Sequence, residues 1–113
     1  MITVYHNPRC GKSRESLAYL DQKGVEYKVV KYMDDPLTPD ELLEIVDALD
    51  MDAEDLVRKN EAEYKEKFKE LEMTEEEWVL AMIEYPKLMQ RPIISNGTKA
   101  VIGRPAENID AVL

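Results

Sequence analysis

The chain has 113 residues, with 15 lysine and arginine residues against 24 aspartate and glutamate residues, which gives a formal net charge of −9. This length suits a single domain with a modest core, and 44% hydrophobic and 35% charged residues are typical of a soluble globular protein. No apolar run approaches the roughly 20 residues of a membrane span, and the acidic balance argues against nucleic-acid binding, which needs a basic surface.

The first 32 residues predict a strand, a loop, a helix and a second strand. Ile2–Tyr5 has the β-branched and aromatic residues of a short strand, and Tyr27–Tyr32 alternates like a second one. Between them, Ser13 is the predicted N-cap of a helix that ends at Gly24. Because the chain opens directly into a strand, we expect no signal peptide and a cytoplasmic location.

The middle of the chain predicts helices only. Thr38 begins a capping box with a proline at the first helical position, and Thr74 begins a second capping box. Two shorter helices are predicted between them, over Ala53–Lys59 and Glu61–Leu71. Methionine and aromatic side chains recur at helical spacing after Thr74, which is typical of a core-facing surface.

The end of the chain predicts a hairpin and a last helix. Ile93–Ser95 and Lys99–Ile102 flank an Asn-Gly pair, the strongest short-range hairpin signal, and a helix is predicted from about Ala106 to Leu113. The order of elements predicts an α/β protein, a thioredoxin-like βαβ…ββα core with an inserted helical subdomain at about 38–90. We expect residues 1–113 to form one domain.

Charge is distributed unevenly along the chain. Residues 34–77 hold 18 acidic and 5 basic side chains, whereas the rest of the chain holds 6 acidic and 10 basic ones. The first 14 residues contain no acidic side chain, but they contain Arg9, Lys12 and Arg14. The overall negative charge therefore does not exclude a small anionic substrate near the start of the chain.

One cysteine, Cys10, and one histidine, His6, limit the chemistry. A single cysteine excludes an internal disulfide and a Cys-x-x-Cys pair, and two such side chains are too few for a structural metal site. A lone cysteine is more often a small buried hydrophobe. Here, however, Cys10 precedes a predicted helix and lies among basic residues, Arg14 included, and both features lower the pKa of a thiol.

The start of this helix also predicts an anion site, because the unpaired backbone N–H groups there can donate to a bound anion. A nucleophilic thiolate beside such a site predicts attack on an oxyanion or on a disulfide-type sulfur, with His6 as an additional donor. A P-loop is excluded because its first glycine would fall at His6, and a Cys-x5-Arg phosphatase loop is excluded because its arginine would fall at Ser16.

The segment Tyr5–Arg14, with the sequence YHNPRCGKSR, resembles the active-site loop of the glutaredoxin-coupled arsenate reductase family. Three further matches follow in the same order as in that family, at Leu56–Arg58, Gln90–Ile93 and Ile102–Pro105. The resemblance covers essentially the whole chain.

The resemblance implies a role for each matched residue. Cys10 would be the nucleophile, and His6 and Ser13 would help to keep its thiol ionised. Three arginines would bind the arsenic oxyanion, and these are Arg58, Arg91 and Arg104. Because Arg58 belongs to the acidic insert, we expect its side chain to turn away from its acidic neighbours. The thioredoxin-like topology also predicts a cis bond between Arg91 and Pro92, which would face the redox loop.

The resemblance further implies that Cys10 forms a covalent adduct with arsenate. Glutathione would be the co-substrate, glutaredoxin would clear the resulting mixed disulfide, and no bound cofactor or metal is expected. Two alternatives stay open. One is a general glutathione-dependent thiol or mixed-disulfide reductase. The other is a non-enzymatic regulator that binds RNA polymerase, although Ser13 stands where such regulators commonly carry a second cysteine.

Overall fold

The computed structural model describes all 113 residues. It contains two compact units, one formed by Met1–Asp35 with Arg91–Leu113 and the other by Pro36–Gln90. The strands and α-helices are β1 (Ile2–Tyr5), α1 (Gly11–Gln22), β2 (Tyr27–Val30), α2 (Pro39–Leu49), α3 (Glu75–Glu84), β3 (Ile93–Ser95) and β4 (Ala100–Ile102). No helix has both the length and the apolar character needed to cross a membrane.

The first unit is built on a four-stranded mixed sheet with the order β2-β1-β3-β4. The central strand β1 is parallel to β2 and antiparallel to β3, so that Tyr5 lies opposite both Val30 and Ile93. β3 and β4 form the predicted hairpin, with Gly97 at a φ of +95° in its turn. The predicted α/β architecture is confirmed.

The core of the first unit joins the two ends of the chain. Side chains from β1, α1, β3 and the last helix form one buried cluster: Ile2, Val4, Leu20, Ile94, Ile109 and Val112. The last helix, Ala106–Val112, is a 3₁₀ helix that contacts α1 and β4. Burial of this cluster therefore holds α1 against the sheet and the last helix.

The second unit packs α2 and α3 against each other. Both predicted capping boxes are present, because Thr38 and Thr74 each accept a hydrogen bond from the N–H three residues later. Trp78 of α3 is buried, and the rings of Tyr64 and Phe68 lie 6.3 Å and 6.1 Å from it, centroid to centroid. Aromatic pairs at this spacing stabilise a core beyond the area they bury.

Several predicted boundaries are wrong. α1 begins at Gly11 with Cys10 as its N-cap residue, so Ser13 is not the cap. The helix predicted over Ala53–Lys59 ends as a 3₁₀ helix at Leu56, because residues 56–58 pair with the segment before β3: Arg58 N–H donates to Leu88 O and Gln90 N–H donates to Leu56 O. The helix predicted over Glu61–Leu71 is a single π-helical turn at 64–68, and β2 stops at Val30.

The predicted cis peptide bond between Arg91 and Pro92 is present. A second cis bond, which the sequence did not lead us to expect, joins Arg104 to Pro105. The two arginines implied as anion ligands in the first unit therefore both precede a cis-proline.

Candidate active site

Cys10 occupies the N-cap position of α1, at the end of a tightly hydrogen-bonded loop. Its N–H donates to Asn7 O at 3.0 Å, and its own carbonyl accepts the N–H of Arg14 at 3.1 Å. The Asn7 side chain accepts the N–H of Arg9 at 3.1 Å, which closes an Asx turn. No acidic residue lies in the first turn of α1, so nothing there opposes the positive end of the helix dipole.

The thiol of Cys10 has a lowered pKa. Burial raises the pKa of the Cys10 thiol, but the backbone N–H of Ser13, the positive charge of Arg91 and the backbone N–H of Lys12 together lower it below its ordinary value. The thiol makes no capping hydrogen bond of standard geometry, so the helix end acts on it electrostatically. Cys10 is 9% exposed. Cys10 is therefore a buried thiol of lowered pKa with a small exposed area at a positively charged helix N-terminus, which is the environment of a reactive cysteine.

Arg91 lowers the pKa of the Cys10 thiol and also carries two buried donors that are unpaired. Its Nε and Nη1 are both buried and lack a hydrogen-bond partner. An unpaired buried donor costs roughly 1–3 kcal/mol, and more when it is charged. Most such groups are therefore paired, and those that are not call for a ligand or another explanation. Because Arg91 also lowers the thiol pKa, these donors and Cys10 belong to one site.

Arg104 lies at the same end of the β3–β4 hairpin as Arg91. The register pairs Ile93 with Ile102, and the N–H of Gly103 donates to Pro92 O at 2.9 Å, which extends the ladder by one residue on each strand. Arg91 precedes Pro92 and Arg104 follows Gly103, so both arginines lie directly beyond this last pair. Arg104 is exposed, and its carbonyl accepts a hydrogen bond from the side chain of Asn108 at 3.2 Å. The structure thus gathers two positive charges at one end of the hairpin.

His6 and Ser13 form a buried hydrogen-bonded pair below the loop. His6 Nδ1 lies 2.7 Å from Ser13 Oγ, and that oxygen also accepts the N–H of Asn7 at 3.0 Å. We assign the Ser13 hydroxyl proton to His6 Nδ1, which places the imidazole proton on Nε2. The Ser13 side chain therefore holds His6 and Asn7, whereas its backbone N–H acts on the thiol.

Replacing Ser13 with alanine is expected to destabilise the fold by about 1–3 kcal/mol, because the N–H of Asn7 and Nδ1 of His6 both lose a buried partner. Urea denaturation measures this loss. Ser16→Ala is the matched control, since Ser16 is equally buried in α1 but donates only to Ser13 O. A Ser13→Ala loss no larger than the control loss would contradict the assigned network.

His6 is expected to make the fold less stable in mild acid. Burial lowers the pKa of His6, and the charges of Lys31 and Arg14 lower it further, against an interaction with the backbone of Ser13 that raises it. The unfolded chain, with a histidine pKa near 6.5, then takes up a proton before the folded chain does, so stability falls as pH drops below about 6.5.

Urea denaturation at pH 7.5 and 5.5 measures this loss. The free energy of unfolding should change by at most about 1.4 kcal/mol per pH unit, because one proton is involved. His6 is the only histidine, so His6→Gln should remove most of the difference. Wild-type stability that is unchanged or higher at pH 5.5 would refute the expected direction.

The other two predicted arginines make contacts that the sequence did not specify. Arg14 is exposed, and its Nη1 donates to Pro8 O at 2.9 Å, which braces the loop before Cys10. Arg58, in the second unit, donates from Nη1 to Glu61 at 3.2 Å and to the carbonyl of Lys87 at 3.3 Å. The expectation that Arg58 turns away from its acidic neighbours is wrong for this nitrogen, because Glu61 holds it.

One residue that shapes the site was missed. Asn7 uses its carbonyl, its side-chain oxygen and its N–H to connect Cys10, Arg9 and Ser13. The Asn-Pro pair at positions 7 and 8 is a turn-initiation signal that marks such a residue. No group of three or more histidine, cysteine, aspartate or glutamate side chains is placed to hold a metal ion.

Comparisons with known proteins identify the family of this chain. The family model described as the ArsC family matches residues 5–112. The chain belongs to the ArsC family. It is 40% identical to the arsenate reductase of Neisseria meningitidis serogroup A over 114 residues, which covers 99% of this chain and 97% of that protein. It is 43% identical to the uncharacterized protein YfgD of Escherichia coli K12 over 110 residues, 96% of this chain and 92% of that protein.

Solved structures of ArsC proteins have the same fold. An arsenate reductase from Vibrio cholerae superposes with a TM-score of 0.92 at 36% identity, and the match covers 99% of this chain and 97% of that one. The predicted thioredoxin-like fold and the predicted family are confirmed. Family membership does not assign the residue roles, which stand on the geometry above.

Proposed function

We propose that this protein is an oxidoreductase that reduces arsenate to arsenite, with Cys10 as the nucleophile and Arg91 as an oxyanion ligand. One observation carries the proposal: a thiol of lowered pKa at a helix N-terminus shares its site with two buried arginine donors that have no acceptor in the protein. A tetrahedral oxyanion supplies the missing acceptors and presents an electrophilic centre to the thiolate. An arginine fork suits such an anion because it donates in parallel pairs and stays charged.

The chemistry balances with two thiols as the electron source. The Cys10 thiolate attacks arsenic(V), a sulfur–arsenic bond forms, and one arsenate oxygen leaves as water after protonation. A glutathione thiolate then attacks the Cys10 sulfur of the adduct, so that a sulfur–sulfur bond forms while the sulfur–arsenic bond breaks and its electron pair reduces arsenic(V) to arsenic(III). Arsenic leaves as arsenite, and a mixed disulfide joins Cys10 to glutathione. Glutaredoxin and a second glutathione reduce that disulfide, so one arsenate and two glutathione molecules give arsenite, oxidised glutathione and water.

External reductants fit this chain because its only cysteine has no internal partner to resolve the adduct. We propose the cytoplasm as the compartment, since thiols are kept reduced there. Arg104, at the same hairpin end as Arg91, is the second proposed anion ligand. His6, Ser13 and Arg14 hold the loop that presents the thiol. The role of Arg58 stays a prediction from the resemblance.

A coupled assay tests the proposal. NADPH oxidation is followed with glutathione, glutathione reductase, glutaredoxin and arsenate present, and arsenite is measured directly. Turnover that requires arsenate, glutathione and glutaredoxin supports the proposal. Reactive Cys10 without arsenate turnover favours the second candidate, a thiol or mixed-disulfide reductase, because the lowered thiol pKa serves that reaction equally. Reduction of a glutathionylated peptide in the same assay identifies that activity.

A further inference from the structure

Gly103 lies at the end of β4, where its neighbours leave no room for a side chain. A Cβ at this position would lie 2.7 Å from Cδ1 of Ile94, 3.2 Å from Cγ of Pro92 and 3.5 Å from Cγ1 of Ile109. Carbon atoms in favourable contact are about 3.5–4.0 Å apart, so the 2.7 Å distance is a collision and the 3.2 Å distance is tighter than an ordinary contact. Gly103 is therefore required for close packing, not for a positive φ.

The close approach connects both arginines of the hairpin. The N–H of Gly103 donates to Pro92 O at 2.9 Å, and Pro92 is buried. Arg91 is bonded directly to Pro92, and Arg104 is bonded directly to Gly103. Any displacement between Gly103 and Pro92 is thus passed to the two side chains that we propose as anion ligands.

We propose that Gly103 is a positioning residue of the anion site. Its missing side chain lets the end of β4 lie close enough to Pro92 to hold Arg91 beside the Cys10 thiol. The inference rests on the proposed function only for the identity of the anion, because the action of Arg91 on the thiol is independent of any substrate.

An added methyl group at position 103 would displace Cδ1 of Ile94 and would require the Pro92 ring to give by a few tenths of an ångström. The Ile94 side chain is fully buried in the core cluster, so rotating Cδ1 away costs packing energy. The Pro92 ring is rigid and moves only with its backbone. We therefore expect Gly103→Ala to push the two strand ends apart, lengthen the hydrogen bond between Gly103 and Pro92, and withdraw Arg91 from the thiol.

The experiment measures the thiol pKa from the pH dependence of iodoacetamide alkylation, which reports Cys10 alone because it is the only cysteine. Gly103→Ala should raise this pKa in the same direction as Arg91→Ala. It should also weaken protection of Cys10 by phosphate or arsenate about tenfold, the loss expected for one misplaced charge-assisted hydrogen bond. In an Arg91→Ala background, Gly103→Ala should change the pKa no further.

Two variants separate positioning from general destabilisation. Gly97→Ala introduces strain at a φ of +95° in the hairpin turn but places no atom within 4 Å of a neighbour, so it should lower Tm and leave the thiol pKa unchanged. Combined with Gly103→Ala, Ile94→Val removes Cδ1, the atom at 2.7 Å, but leaves the 3.2 Å approach to Pro92 Cγ, so it should restore part of the Tm and part of the lowering of the thiol pKa. If Gly103→Ala alone does not fold, recovery of folding and of the thiol pKa in this double variant supports the proposal.

A Gly103→Ala protein with reduced Tm, unchanged thiol pKa and unchanged anion protection would overturn the positioning role. So would a double variant as impaired as Gly103→Ala. These results are distinct from failure of the proposed function, which would appear as absence of arsenate turnover in the wild-type protein while the thiol pKa still responds to position 103.

Discussion

Cys10→Ser is expected to abolish arsenate-dependent NADPH oxidation, to the level of an assay without the protein. The serine hydroxyl has nearly the same shape as the thiol, but it does not ionise in the pH range in which a cysteine thiol does. It therefore lacks the nucleophile that forms the sulfur–arsenic bond. Adduct formation and the reduction of arsenic are lost together, because the Cys10 sulfur forms the adduct and also supplies one of the two electrons. The coupled assay and direct arsenite measurement check this result.

The fold of the Cys10→Ser protein should be intact, since Cys10 makes its hydrogen bonds through backbone atoms that serine retains. Thermal unfolding and phosphate binding by calorimetry are the controls. A variant with full anion binding and no turnover locates the loss in the chemical step. Residual arsenate-dependent turnover above about 1% of wild type would contradict Cys10 as the nucleophile, because loss of a covalent nucleophile usually costs several orders of magnitude.

Arg91→Ala is expected to raise the thiol pKa and to lower kcat/KM for arsenate by about 100-fold. The variant removes the positive charge that lowers the pKa of Cys10 and two buried donors that have no acceptor in the protein. One or two charge-assisted hydrogen bonds, at roughly 1.5–3 kcal/mol each, correspond to this loss at 1.36 kcal/mol per tenfold. The pH–rate profile should shift to higher pH, since more base is needed to form the thiolate.

Two further variants show whether charge or shape is responsible. Arg91→Lys keeps the charge but loses the planar fork, so its thiol pKa should stay closer to that of the wild type while anion binding remains weak. Arg9→Ala is the matched control, because Arg9 is exposed and its hydrogen bond uses only backbone N–H. Equal losses in Arg9→Ala and Arg91→Ala would show that the site senses only overall positive charge.

The helical insert shows which parts of the fold a local pattern can predict. Both capping boxes form within four residues, so Thr38 and Thr74 begin their helices where the sequence indicates. The predicted helix does not continue beyond Leu56, because the backbone there pairs with a distant segment. Arg58 N–H donates to Leu88 O, and Leu56 O accepts from Gln90 N–H. Nothing within the local sequence signals that pairing.

The candidate site likewise has features that the local sequence predicts and features that depend on distant segments. The basic loop and the helix start predicted a thiolate at Cys10, and the structure gives this thiol a lowered pKa. The prediction of Ser13 as the N-cap is wrong, because the hydrogen bond from Cys10 N–H to Asn7 O closes the loop and α1 begins directly after Cys10. The tight packing at Gly103 was beyond prediction, because Pro92 and Ile94 meet it only through the register of the hairpin.

The sheet order has a consequence for how the molecule is made. β1 is the central strand, and its antiparallel neighbour β3 begins at Ile93, so the two strands are separated by almost the whole chain. During synthesis from the N-terminus, Cys10 leaves the ribosome long before Arg91 does. Contacts so distant in sequence form late, after the entropy of closing the intervening segment has been overcome. We therefore expect nascent chains to lack the part of the pKa lowering that Arg91 supplies until the segment Arg91–Leu113 joins the sheet.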